Sequence, residues 1–419
     1  MKVLGTLRVP GDKSISHRAL ILGALSDGLS RVTGILESAD VHSTAGVLRA
    51  LGADIPELAS DFVIRGRGLR GLTQPSRELD CGNSGTTTRL MAGVVAASAV
   101  DATFIGDASL SRRPMGRVAR PLEAMGARFE LPSHGGLPMT IHGGQLHNIE
   151  WNSEVASAQV KSAILLAGLV SGVRVRVVEK NKTRDHTERM LEARGVPVEV
   201  DDGSVTIEPH SSLRALDTAV PGDPSSAAFF AGLAAIADDG ELRLEGVCVN
   251  ETRIGFLDQL RRMGVTVLET NRRLEGGEWV ADLVISPGEL CGGSVTEHDV
   301  PSMVDELPLL ACLATRATGE TIITGASELR VKESDRIAAT VANLRAIGAT
   351  ADELPDGMRV QGSAARLHGR VVTHGDHRLA MAFGILGAAT GNAIEIDDPE
   401  CVTVSYPDFW RDLARVTSP

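Results

Sequence analysis

One phrase recurs along this chain and limits what it can fold into. Leu48-Arg-Ala-Leu-Gly-Ala53, Leu122-Glu-Ala-Met-Gly-Ala127, Leu191-Glu-Ala-Arg-Gly-Val196, Leu260-Arg-Arg-Met-Gly-Val265 and Leu344-Arg-Ala-Ile-Gly-Ala349 all carry a leucine, a glycine four residues later and a small or branched residue after it. Counting a worn sixth copy at Leu413-Ala414-Arg415-Val416, successive leucines lie 74, 69, 69, 84 and 69 residues apart. Each phrase reads as the end of an amphipathic helix closed by a C′ glycine, followed by a strand such as Val196-Pro-Val-Glu-Val200 or Val265-Thr-Val-Leu268.

A second series interleaves with the first. Helices built almost wholly of small apolar residues are expected to begin near His17, Thr86, Gln159, Ser225, Glu306 and His377. Each follows a turn: Gly11-Asp12, Gly82-Asn83, Ala156-Ser157, Gly222-Asp223, Val304-Asp305 and Gly375-Asp376. The chain is therefore expected to hold six α/β units of about 70 residues that bury their faces only by stacking. A helix that is apolar nearly all round must be buried. Three such helices in each of two domains is the economical arrangement. The best crossings between domains are Pro10-Gly11 and Val220-Pro221-Gly222-Asp223, giving a domain of residues 12–221 and a second of residues 1–11 plus 222–419. That division places the N-terminal strand with the C-terminal half.

The bulk properties exclude several functions. A net charge of −12 argues against a nucleic-acid partner, so any anion site must be a local basic cluster on an acidic body. The five cysteines are scattered without a C-x-x-C pair, which fits a reducing, cytoplasmic setting and excludes a thiolate zinc site. The histidines lack ligand spacing, so neither a metal nor another cofactor is expected. No apolar run reaches the roughly 18 residues needed to cross a bilayer. The opening Met1-Lys-Val-Leu-Gly-Thr-Leu7 reads as a strand and leaves no room for a signal peptide.

The polar residues gather at the starts of the buried helices. Pro10-Gly-Asp-Lys13-Ser14-Ile-Ser-His-Arg18 opens the first of them. Free N–H groups and the helix dipole favour an anion there, and Lys13 and Arg18 add positive charge. Cys81-Gly-Asn-Ser-Gly85-Thr-Thr-Thr-Arg89 is a hydroxyl-rich loop that a ligand could approach closely, and Ser111-Arg-Arg113-Pro-Met115 offers arginine forks. Ala156-Ser157-Ala158-Gln159-Val-Lys-Ser162 and Asn181-Lys-Thr-Arg184-Asp-His-Thr187 are further polar clusters. In Leu329-Arg-Val-Lys332-Glu333-Ser-Asp-Arg336 the spacing places Lys332 and Arg336 on one helical face beside a carboxylate. Gly375-Asp-His-Arg378 and Val304-Asp305-Glu306 bring an arginine and two carboxylates to the starts of apolar helices, where Asp305 is a candidate base. Any one of these would equally suit a capped turn or a solvated basic loop. Basic groups recurring at five of the six starts, or in the loops beside them, do not suit coincidence. Two apparent motifs fail. Gly66-Arg-Gly-Leu-Arg-Gly71 fits G-x-G-x-x-G without a helix after it and reads as a hairpin turn, while Gly11-Asp-Lys-Ser14 lacks the upstream glycine of a P-loop.

With these residues in order, the chain resembles the 5-enolpyruvylshikimate-3-phosphate synthase family over nearly its whole length. The resemblance rests on Gly11–Arg18, Gly82–Thr86, Arg113-Pro114, Ser157–Gln159, Asp305, Arg330–Arg336 and Asp376–Arg378. It implies an α/β fold of two domains, each of three βαβαββ-type repeats under pseudo-threefold symmetry, with the buried helices aimed at the substrates. It also implies transfer of the enolpyruvyl group of phosphoenolpyruvate to the 5-hydroxyl of shikimate 3-phosphate by addition and elimination, in a monomer that closes on its substrates. Carried over residue by residue, Lys13, Gly85, Arg113, Gln159, Arg336 and Arg378 hold phosphoenolpyruvate. Lys13, Ser14, Arg18, Ser157, Ala158, Gln159, Arg184, Asp305 and Lys332 hold shikimate 3-phosphate. Asp305 is the implied base, and Lys13 and Glu333 share the remaining proton transfers in either assignment.

The chain departs from the family pattern at several places. Val404 stands where a lysine is frequent, Glu328 where an asparagine is, and Ala158 where a second serine is common. The Thr86-Thr87-Thr88 run replaces the usual Ala-Met-Arg-Pro continuation. The related UDP-N-acetylglucosamine enolpyruvyl transferases carry Lys-Asn in place of Lys13-Ser14 and a loop cysteine in place of Ala108. A non-catalytic phosphometabolite-binding protein would keep the arginines but has no use for Lys13, Asp305 and Glu333 together.

Overall fold

In the computed structural model, which describes residues 1–201 and 203–418, twelve α-helices alternate in kind. They are α1 (Lys13–Leu25), α2 (Ala39–Ala50), α3 (Gly85–Ala96), α4 (Gly116–Ala124), α5 (Ala158–Ser171), α6 (His186–Ala193), α7 (Pro224–Ala235), α8 (Gly255–Arg262), α9 (Leu307–Ala314), α10 (Arg336–Ala346), α11 (His377–Ala388) and α12 (Phe409–Val416). The odd-numbered helices are the apolar series, and every residue of α7 and of α9 is buried. The even-numbered ones expose one face. Five of the six buried helices begin within a residue of the expected place. The sixth, α1, starts at Lys13 rather than near His17, because the Asp12 carboxylate accepts the Ile15 N–H at 2.7 Å and draws the polar first turn into the helix.

The recurring phrase has a local cause. In all five complete copies the glycine is left-handed, with φ of 85° at Gly52, 107° at Gly126, 86° at Gly195, 99° at Gly264 and 93° at Gly348. The next N–H then reaches back to the leucine carbonyl: Ala53 to Leu48 at 2.9 Å, Ala127 to Leu122 at 3.0 Å, Val196 to Leu191 at 3.1 Å, Val265 to Leu260 at 3.0 Å and Ala349 to Leu344 at 2.9 Å. This is the Schellman closure, and it explains why the leucine and the residue after the glycine are both apolar. A Cβ at Gly348 would meet nothing within 4 Å, so its cost is backbone strain alone. Gly348→Ala is expected to lower unfolding stability by about 1 kcal/mol, read from denaturant midpoints at unchanged slope. An unchanged midpoint would mean that the left-handed turn is not required.

Three sheets show the βαβαββ order directly. Leu79–Asp80 and Asp101–Ile105 pair in parallel across α3, and Met139–His142 and Arg128–Glu130 then add antiparallel. The same plan holds for the strands around α5 and α6 and for those around α9 and α10. The repeats of α1 and α7 exchange their first strands. Lys2–Leu7, which precedes α1, lies parallel to Asp239–Cys248 after α7, whereas Thr218–Ala219, which precedes α7, lies parallel to Leu29–Thr33 after α1. The last repeat is cut short. Its closing strand Thr417–Ser418 pairs antiparallel with Lys2 and Val3. The chain forms two compact units, one of Met1–Pro10, Pro221–Arg273 and Trp279–Pro419, the other of Gly11–Val220 with Leu274–Glu278.

Within the first of these units, α7, α9 and α11 pack together under an aromatic cluster in which Phe230 and Tyr406 have ring centroids 5.6 Å apart. Within the second, α3 lies so close to α5 that a Cβ on Gly93 would sit 2.1 Å from the Ala163 carbonyl oxygen. Gly66–Gly71 is not the hairpin turn expected from sequence. Its N–H groups cap the end of α1, with Arg67 N–H donating to the Ala24 carbonyl at 2.9 Å, and the chain then runs on to a strand of another sheet. The last carbonyls of α1 need donors, and this loop supplies them.

Candidate active site

Capping chemistry sets the helix starts. Asp12, Ser84, Ser157, Asp223 and Asp376 each accept a first-turn N–H of α1, α3, α5, α7 and α11 respectively. In the unit of Gly11–Val220, hydrogen bonds tie the N-terminal halves of α1, α3 and α5 together. Gln159 Nε2 donates to Thr86 Oγ1 at 2.9 Å, and Arg18 Nη2 donates to Ser162 Oγ at 2.7 Å. His17 Nδ1 lies 2.6 Å from Thr44 Oγ1, which is 2.7 Å from Thr87 Oγ1. Three helix N-termini therefore converge, and their dipoles add at one place.

The expected cations stand on this platform. Lys13, the first residue of α1, directs its ammonium to Asp40 at 3.3 Å. Ser14 contributes its carbonyl to Arg18 Nη1 at 2.9 Å. Burial pushes His17 down to about 3, with Asp40 opposing and Lys13 and Arg18 reinforcing, so the imidazole is neutral near pH 7. The positive charge of this turn therefore comes from Lys13 and Arg18. Gly85 begins α3, and a Cβ there would lie 2.7 Å from Arg89 Nη1 and 3.3 Å from Arg113 Nη1, so two guanidinium groups cover this glycine. Arg113 Nη2 donates to Asn83 Oδ1 at 2.7 Å, and Arg89 Nη1 donates to Gln159 Oε1 at 2.7 Å. Ser157 and Ala158 form the start of α5. Arg184 lies in the loop before α6, where its charge acts on Arg18.

The unit that carries Pro221–Arg273 holds a second cluster, centred on Asp305. Its carboxylate, 13% exposed, lies 3.3 Å from Arg336 Nη1, 3.7 Å from Lys332 Nζ and 3.9 Å from Arg378 Nη2. Arg336, 1% exposed, also donates to Glu333 Oε2 at 2.6 Å and to Asp376 Oδ2 at 2.8 Å. Burial opposes its charge, yet Asp376 and Glu333 more than compensate and raise its pKa above the ordinary arginine value. Asp376 is held below the usual carboxylate range by Arg336 against the pull of burial. Glu306, adjacent to Asp305, is pushed up by burial although Arg378 Nη1 donates to it at 3.4 Å.

Lys332 and Arg336 do not share a helical face. Residues Ser327–Val331 form a 3-10 turn, Lys332 is extended, and Asp335 caps α10 by accepting the Ala338 N–H at 3.1 Å. The two cations meet at Asp305 across the bent segment before α10 rather than by helical spacing. Sequence reasoning placed Asp376, Arg89, Thr187 and Ser162 inside polar motifs without giving them a role at the site, and passed over Asp40. Arg89 had a usable signal, since it sits four residues after Gly85 on α3 and so faces the same way. Among the described residues no group of three or more His, Cys, Asp or Glu side chains could hold a metal ion, and no helix is long and apolar enough to cross a membrane.

A family model described as EPSP synthase (3-phosphoshikimate 1-carboxyvinyltransferase) matches residues 1–413. A protein of Sulfurihydrogenibium sp. (strain YO3AOP1) named 3-phosphoshikimate 1-carboxyvinyltransferase is 48% identical over 421 residues, covering 99% of this chain and 98% of its own. One of the same name from Alkalilimnicola ehrlichii is 50% identical over 407 residues, covering 97% and 91%. The solved EPSP synthase of Acinetobacter baumannii superposes with a TM-score of 0.89 at 40% identity, covering 99% of this chain and 96% of that one. The enolpyruvyl transferase NikO of Streptomyces tendae, at 18% identity and a TM-score of 0.78, shares the fold. Both the shared fold and a match that runs over nearly the whole length make this chain a member of the EPSP synthase (3-phosphoshikimate 1-carboxyvinyltransferase) family.

Proposed function

We propose that this chain transfers the enolpyruvyl group of phosphoenolpyruvate to the 5-hydroxyl of shikimate 3-phosphate, giving 5-enolpyruvylshikimate 3-phosphate and phosphate. The observation that carries this reading is the placement of a carboxylate, Asp305, among three cations, together with a separate convergence of helix N-termini bearing Lys13 and Arg18. Two anionic substrates repel each other, and only concentrated positive charge brings them into reacting contact. Lys13, Gly85, Arg113, Gln159, Arg336 and Arg378 hold phosphoenolpyruvate. Ser14, Arg18, Ser157, Ala158, Gln159, Arg184 and Lys332, with Lys13 and Asp305, hold the acceptor. Asp305 takes the proton of the 5-hydroxyl as that oxygen attacks C2 of phosphoenolpyruvate. A proton is added at the methylene carbon, forming a tetrahedral intermediate. Loss of a methyl proton then expels phosphate and restores the double bond. Lys13 and Glu333 carry those proton transfers.

In this reading the functional halves are residues 12–221 and residues 1–11 plus 222–419, and they close on the substrates to exclude water from the intermediate. The chain acts as a cytoplasmic monomer. Its five free thiols suit a reducing compartment.

The test is phosphate release from phosphoenolpyruvate with either of two acceptors. Release is expected with shikimate 3-phosphate and not with UDP-N-acetylglucosamine. The opposite pattern would overturn the assignment of the acceptor. Tight binding of both substrates without release would make the chain a binding protein.

A further inference from the structure

Arg336 pairs directly with three carboxylates, whereas the hydrogen-bond partners of Arg18 are all neutral. Arg18 is 4% exposed, and its hydrogen-bond partners are the Ser14 carbonyl at 2.9 Å, Thr187 Oγ1 at 2.7 Å and Ser162 Oγ at 2.7 Å. Thr187 Oγ1 itself donates to Ser162 Oγ at 2.7 Å. All three partners are neutral. A guanidinium held by a carboxylate has its charge already answered, whereas one held by hydroxyls and a carbonyl is aimed without being neutralised.

The seat is braced from behind. Lys161 Nζ lies 2.7 Å from Glu179 Oε2 and 2.7 Å from Glu188 Oε1, and Thr183 Oγ1 donates to Glu179. This buried cluster clamps the first turn of α6 to α5 and to the strand Val175–Glu179, which holds Thr187 against Arg18. Burial lowers the Arg18 pKa to about 10; the Glu188, Asp12 and Glu278 charges oppose this without forming ion pairs with it and Arg184 reinforces it, so the side chain stays a cation near pH 7.

We propose that Thr187 and Ser162 are positioning residues which keep Arg18 oriented yet unneutralised, and thereby set the enzyme's affinity for the anionic acceptor. The inference rests on the reading above, in which Arg18 holds shikimate 3-phosphate. It adds to that reading two hydroxyls that touch no substrate.

The experiment compares Thr187→Val, Thr187→Ser, Thr187→Asp and Arg18→Met in steady-state assays on the full chain, with thermal midpoints measured alongside. Valine keeps the shape and removes the hydroxyl, so Thr187→Val is expected to raise the acceptor KM about tenfold while the phosphoenolpyruvate KM stays within about twofold. Serine restores the parent value. Thr187→Asp places a carboxylate against Arg18, and the acceptor KM is expected to rise at least about a hundredfold as the guanidinium is captured internally. If Arg18→Met raises the acceptor KM while Thr187→Val leaves it unchanged, the positioning role is wrong. Serine failing to rescue, or both KM values rising in step with a fall in the thermal midpoint, would reduce Thr187 to a structural residue. If Arg18→Met itself leaves the acceptor KM unchanged, the assignment of Arg18 fails instead. Should the aspartate variant not fold, the valine and serine pair decides.

Discussion

Lys13→Met is expected to reduce phosphate release by about a thousandfold or more, with the folded state preserved. The lysine is the first residue of α1, at the convergence of three helix N-termini, and its ammonium is the one flexible point charge in that turn beside the neutral His17. Methionine matches its length and loses its charge and its protons. The structural cost is small, because Lys13 is 23% exposed and its pairing with Asp40 at 3.3 Å is partly solvated. Asp40 is itself 15% exposed, so removing its partner costs about 1–2 kcal/mol, more than at an exposed pair and less than at a fully buried one. Activity should collapse while the thermal midpoint moves by a few degrees at most. Turnover above about a tenth of the parent rate, at unchanged phosphoenolpyruvate KM, would remove Lys13 from the chemistry.

Arg336→Met should fail in the opposite way, through stability. Arg336 is buried against Asp376, Glu333 and Asp305, and removing it strands Asp376, whose side chain is 0% exposed and cannot reach water. Breaking a buried pair from one side costs about 3–5 kcal/mol. The sign of the pH dependence follows from Asp376. In the parent, Arg336 holds its pKa below the unfolded value, so its contribution is present above that value and is lost as pH falls through the folded pKa. In the variant, burial without the cation raises the folded pKa above the unfolded one, so stability is gained as pH falls. The gap between the two proteins is therefore widest near pH 7 and narrows toward about pH 4. Urea unfolding at both pH values measures it, and an equal gap at each would show that Asp376 is not what Arg336 neutralises.

Much of this fold could be read from local chemistry. The Leu-x-x-x-Gly phrase is legible because a Schellman turn is built from adjacent residues, and its requirement for φ near 90° selects glycine wherever it occurs. The buried helices are legible because a helix apolar on every side has one possible environment. The cations at their starts are legible by position. What sequence could not supply is pairing over distance. Asp376 lies 40 residues after Arg336, and nothing in either neighbourhood announces the bond. Lys332 and Arg336 looked like helical neighbours because four-residue spacing is the strongest short-range rule, but Asp335 preferred to cap α10 and displaced Lys332 from the helix. Thr187 and Ser162 stand in polar clusters that the sequence marks out, but their role is illegible there for a different reason. A hydroxyl becomes informative only once the arginine it seats is known to lack an acid.

The exchange of first strands between the α1 and α7 repeats sets an order of events during synthesis. As a nascent chain leaves the ribosome, Lys2–Leu7 is made before any partner for it exists, and it cannot join its sheet until Asp239–Cys248 has followed. The three sheets built from the stretch after Gly11 have all their strands once Thr218–Ala219 is made, and can close while the leading strand still waits. That strand, with Leu4 on its outer face, is an unpaired edge through this interval and is exposed to wrong partners. Its antiparallel neighbour Thr417–Ser418 is made later still, so a single sheet has to wait for strands from widely separated stretches of the chain.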